Sequence, residues 1–217
     1  MTEAEWLACD RPAAMVDFLA GKVSARKVRL FGVACCRQLE PRVGHDAFRL
    51  ALEAAERIAD GRARKADLER ARGAARGWEG RPESIGFAAR WSALVLADLA
   101  VSKKATLAMA RGIDRLVDRM GDLGFFPAAD RPLGSALARC IFGHPFRPAT
   151  VDRSGLAPGV VDLAGSIYED RAFDRLPILG DALEEAGCGD DPILGHCRGG
   201  GPHARGCWVV DLVLGKS

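Results

Sequence analysis

Residues 25–39, ARKVRLFGVACCRQL, decide the fold class. Val28, Phe31, Cys35 and Leu39 recur at intervals of three and four, which puts them on one stripe of an α-helix. Arg26, Arg29 and Arg37 fall mainly off that stripe, and Ser24 stands where an N-cap is wanted. The adjacent Cys35 and Cys36 point about 100° apart on such a helix, so at least one belongs to the core and a paired redox role is not expected.

Working outward, the same period continues in both directions. Thr2 and Glu5 have the spacing of a capping box ahead of Trp6. Pro12 sits near a first helical position, followed by Met15, Phe18 and Leu19 at i, i+3 and i+4. Residues 45–61, HDAFRLALEAAERIADG, form the next helical pattern, with Gly61 placed as a C′ stop. From 62 to 80 the chain is rich in Ala and Arg, which predicts an exposed helix. Two long helices are expected at 82–100 and 101–120, then a break at 121–132 and a helix over 133–143, LGSALARCIFG.

Residues 143–159, GHPFRPATVDRSGLAPG, hold three prolines and three glycines and mark a boundary. Within them GHPFRP reads as a rigid turn with Phe146 tucked against the core. Four short helices are expected beyond, in 160–170, 174–187, 190–198 and 206–215. Val209, Val210 and Val213 would also suit a strand in the last of these, but a lone strand has no partner. The expected architecture is therefore all-α: a helical bundle domain at 1–142, a linker at 143–159 and a compact C-terminal helical cap at 160–217.

Composition narrows the function classes. With 31 basic and 29 acidic residues the net charge is +2, and aromatics make up 6%. Neither number favours nucleic acid as a partner. The basic stretch of Arg62, Arg64, Lys65, Arg70, Arg72, Arg76 and Arg81 is diluted by Asp67, Glu69 and Glu79, which fits a solvated helix. The N-terminus lacks a secretory signal pattern, and the most apolar run, 91–101, is interrupted by Asp98 and followed by Lys103 and Lys104. No membrane association is expected. Seven cysteines, an odd number without regular spacing, suit a reducing cytoplasm better than a disulfide framework.

The chemistry concentrates in residues 196–208, HCRGGGPHARGCW. Zinc takes four tetrahedral thiolate or imidazole ligands. Cys188, Cys197, His203 and Cys207 supply the right types, separated by eight, five and three residues. No Cys-x-x-Cys hook is present, and the competing reading makes the cysteines small buried hydrophobes with His196 and His203 on a loop. A Cys–His nucleophile is a third reading, with Cys207 at a helix start and His203 or His196 as base. It lacks an orienting third group. The terminal LGKS is no phosphate loop, since Val210 stands where a Walker motif needs Gly. The pairs Glu184–Glu185 and Asp190–Asp191 suit helix surfaces and caps.

The motifs MTEAEWLACDRPAAMVDFLAG, IFGHPFRP and PHARGCWVVDLVLGK resemble a protein family expanded in planctomycete bacteria. Residues 175–187, RLPILGDALEEAG, are also similar to a planctomycete segment that accompanies repeat proteins, with Gly180 and Ala182 departing from its Ala and Trp. These resemblances imply no catalytic residues and tilt towards an accessory module. The reading is a non-catalytic helical interaction module with a protein partner. The alternatives are a C-terminal structural zinc site and a Cys/His-dependent enzyme.

Overall fold

The computed structural model describes residues 1–77, 112 and 133–216. Among them every regular element is helical: α1 (Glu3–Ala8), α2 (Pro12–Phe18), α3 (Ala25–Arg37), α4 (Glu40–Val43), α5 (Asp46–Ala59), α6 (Lys65–Gly77), α7 (Leu133–Phe142), α8 (Pro158–Asp170), α9 (Leu176–Glu185), α10 (Asp191–Arg198) and α11 (Trp208–Leu214). The protein is all-α, and the valine-rich last segment is helix. The helices expected at 82–100 and, apart from Gly112, at 101–120, the break at 121–132 and the end of the basic stretch lie outside the described residues.

Two compact units divide the chain, Met1–Ser135 and Ala136–Ser217. The division falls inside α7, ahead of the 143–159 segment that proline and glycine content marked. The reason is Cys140, which packs in one cluster with α8 to α11. A composition break thus marks a turn inside the second unit, and that unit's core begins before it. The turn also leaves Phe146 37% exposed rather than tucked against the core, packed edge-to-face with His144, whose ring accepts the Arg147 N–H.

In the first unit the capping box at Thr2 and Glu5 forms as expected, and Ser24 caps α3 by accepting the Lys27 N–H. Helix α3 is buried well beyond one stripe, with Leu30 to Cys36 enclosed throughout. It is a central helix rather than a surface one, and two of its off-stripe arginines, Arg26 and Arg37, are tied down. Arg37 pairs with the buried Glu56 of α5 at 2.7 Å and with Glu40 at 2.6 Å, while Arg26 reaches Asp60 at 3.3 Å. Burial opposes the Arg37 charge, yet its two carboxylate partners leave the guanidinium pKa raised. Gly61 closes α5 at φ +69°, a conformation that a Cβ disfavours.

In the second unit Tyr168, Leu176, Leu179, Leu183, Ile193, Val209, Val210 and Val213 form the core. Asp190 caps α10 by accepting the Ile193 N–H at 2.9 Å, and Pro192 fits the first turn. Helices α9 and α10 approach closely at Gly180, where an added Cβ would lie 2.9 Å from the Cys197 Cβ. No helix among the described residues is long and apolar enough to cross a membrane.

Candidate metal centre

Four segments of the second unit deliver one side chain each to a single point. Helix α7 carries Cys140 in its last turn, and α10 carries His196 in its last turn. The loop after the three glycines supplies His203. Cys207 is the N-cap of α11. One ligand atom from each of Cys140, His196, His203 and Cys207 lies within 4.8 Å of all the others. A tetrahedral zinc ion with two thiolates and two imidazoles has ligand–ligand edges of about 3.3–3.8 Å. The cluster, with its atoms within 4.8 Å, is slightly wider than that.

Local sequence explains the convergence. The Cys207 N–H returns to the Ala204 carbonyl at 2.9 Å, closing a four-residue turn whose third residue, Gly206, has φ +90°. Arg205, beside it, donates to the Tyr168 and Glu169 carbonyls at 3.1 and 2.9 Å, anchoring the turn on the end of α8. Gly143, at φ +69°, admits the Trp208 ring, since a Cβ there would meet it at 3.1 Å. That contact brings the end of α7 to the start of α11, and so Cys140 to Cys207.

The rings are oriented. His203 Nδ1 lies 3.7 Å from Cys140 Sγ, while its Nε2 lies 3.3 Å from the Gly199 carbonyl. With the proton on Nε2, that nitrogen donates to the carbonyl and Nδ1 faces the cluster with a free lone pair. A backbone carbonyl behind a ligating imidazole is the usual device for fixing its tautomer. His196 Nε2 lies 3.3 Å from Cys207 Sγ, and its ring packs edge-on to His203 at 4.9 Å and against Trp208 at 5.3 Å.

Charge is arranged around Cys207. Burial pushes its thiol pKa up, but interactions with the neighbouring Cys140, His196 and His203 side chains outweigh it and hold the pKa well below the ordinary thiol range. His203 moves the other way. Burial lowers its pKa, and the Cys207 partner and the Gly199 carbonyl leave it raised. A completely buried thiol with a lowered pKa beside an imidazole with a raised one suits a bound positive charge.

Of the four residues expected as ligands, His203 and Cys207 belong to the cluster and Cys188 and Cys197 do not. Successive residues on α10 diverge by about 100°, so His196 and Cys197 cannot face the same point. His196 faces Cys207, and Cys197 faces Gly180 of α9. Burial, with the nearby Cys207 and Cys188 sulfurs, raises the Cys197 pKa to about 12, so it stays a neutral thiol. Cys188 is half-buried against the core edge. Their places are taken by His196, which sequence reading set on a loop rim, and by Cys140, which it passed over. Cys140 lies 63 residues before His203 and occupies an apolar position on α7, so spacing could not reveal it.

A cleft of about 350 Å³ opens beside the cluster, lined by Phe173, Pro177, Arg198, the three glycines and His203. Comparison of the chain with family models, curated proteins and solved structures found no match to any of them.

Proposed function

We propose that the protein is a non-catalytic helical interaction module whose C-terminal unit is held together by a structural zinc ion bound to Cys140, His196, His203 and Cys207. The observation that carries this reading is the convergence of four soft and borderline ligand atoms within 4.8 Å. Two thiolates and two imidazoles in tetrahedral reach favour zinc over magnesium, calcium or square-planar copper. Four protein ligands leave no open position for water or substrate, which is the pattern of structural rather than catalytic zinc. Zinc would supply the positive charge that the Cys207 thiolate needs in a buried setting.

A Cys/His-dependent enzyme has one observation in its favour, the 3.3 Å approach of His196 to Cys207. Against it, Cys207 is 0% exposed, so no substrate carbonyl can reach its sulfur. That reading also leaves Cys140 and the oriented His203 without a role.

Metal analysis of protein purified without added zinc tests the proposal. About one equivalent is expected, falling to trace in Cys140→Ala and His203→Ala and unchanged in Cys188→Ala. Trace zinc in the native protein, with no uptake on refolding in zinc, would remove the metal from the account.

A further inference from the structure

The two sulfurs of the cluster have a second use. Cys140 Sγ and Cys207 Sγ lie within 4.8 Å of each other, on two segments that Trp208 and Gly143 already hold together. Both side chains are buried, so neither sulfur has solvent to compete for it. A disulfide needs its sulfurs at about 2.05 Å, so the two sulfurs must close from within 4.8 Å for the bond to form. Cys197, the third buried thiol of this core, packs its Cβ against Gly180 and is not among the four converging residues.

We propose that Cys140 and Cys207 are an exchange pair, bound to zinc as thiolates in one state and joined to each other as a disulfide in the other. The proposal rests on the zinc reading for its first state only. With zinc bound, the metal engages the sulfur lone pairs and holds the two sulfurs about 3.8 Å apart, so they do not react. Without it, a small peroxide completes the chemistry. The Cys207 thiolate attacks one peroxide oxygen, the O–O bond breaks, and hydroxide leaves, giving a sulfenic acid. Cys140 sulfur then attacks the Cys207 sulfur, the S–OH bond breaks, and hydroxide leaves again. In sum two thiols and one hydrogen peroxide give one disulfide and two waters, the thiols losing two electrons and the peroxide gaining them. The cleft lined by Gly199, Gly200, Gly201 and His203 reaches the cluster at His203, so the oxidant meets the sulfurs only when the metal-free site opens beside that residue.

The full chain as purified and the same chain after dialysis against EDTA are exposed to equal, low hydrogen peroxide, then mapped as unreduced peptides. In the stripped protein the dominant linkage expected is Cys140–Cys207, with zinc re-uptake weakened by at least about tenfold and restored by dithiothreitol. The zinc-loaded protein should show only a small fraction of that linkage, and a stripped Cys197→Ala variant should form it undiminished. A dominant Cys197–Cys207 linkage, over-oxidised Cys207 with no linkage, or equal linkage with and without zinc would each overturn the exchange pair. Absence of zinc in the purified protein would instead sink the metal reading, while the map of the stripped sample would still decide the disulfide.

Discussion

A thiol is readily buried, whereas a buried thiolate demands compensating charge, and Cys207 sits fully enclosed with its pKa driven down by three neighbours. Removing one ligand leaves that demand unmet. Cys140→Ser should abolish zinc retention and destabilise the C-terminal unit by about 4 kcal/mol or more, as expected for loss of a structural metal. Urea unfolding with zinc present measures it, and a change under about 1 kcal/mol would contradict it. Protons compete with zinc for the same atoms. His203 has a raised pKa, so its proton is held more tightly by the metal-free fold than by the unfolded chain. That contribution favours the metal-free form, is fully present below the ordinary histidine value of about 6.5, and fades as pH rises through the raised value. Zinc retention should therefore fall away as pH drops through that raised value, above the ordinary value of about 6.5. Equilibrium dialysis across pH checks this, and retention undiminished at pH 4 would refute it. In the first unit, Arg37→Ala strands the buried Glu56 carboxylate and should cost about 3–5 kcal/mol, read by chemical denaturation.

Among elements, α9 and α10 matter most, since their packing aims His196. Gly180→Ala places a Cβ 2.9 Å from another Cβ, an atom that no side-chain rotation can move aside. The helices must separate, at about 1–3 kcal/mol, and zinc affinity should weaken with them. Full stability and full affinity in that variant would show the close approach to be unimportant. The element level is also where sequence was most readable. Periodicity, the Thr2 and Ser24 caps and the Gly61 stop all sit at the helix boundaries found. The same periodicity under-read α3, because burial on all sides comes from what packs around a helix. Half the cluster was legible for a related reason. His203 and Cys207 share a short loop, while Cys140 is set beside them by Gly143 and Trp208, a tertiary contact with no local trace.

At the scale of the whole molecule, each unit has its own core, and all four cluster residues belong to the second. Stripping the metal should accordingly lower one thermal transition and leave the first unit's own transition in place, as calorimetry with and without EDTA would show. A single transition that shifts as a whole would mean that the units unfold as one. The stretch 196–208 joins the two levels of organisation. Its three glycines lead out of α10, its Gly206 turn starts α11, and its two histidines and Cys207 need only Cys140 to complete a tetrahedron. The most direct measurement is X-ray absorption at the zinc edge of the purified protein. Two sulfur neighbours at about 2.3 Å and two nitrogen neighbours at about 2.0–2.1 Å are expected. An oxygen-rich or six-coordinate shell, or a sulfur count other than two, would contradict a zinc ion held by Cys140, His196, His203 and Cys207.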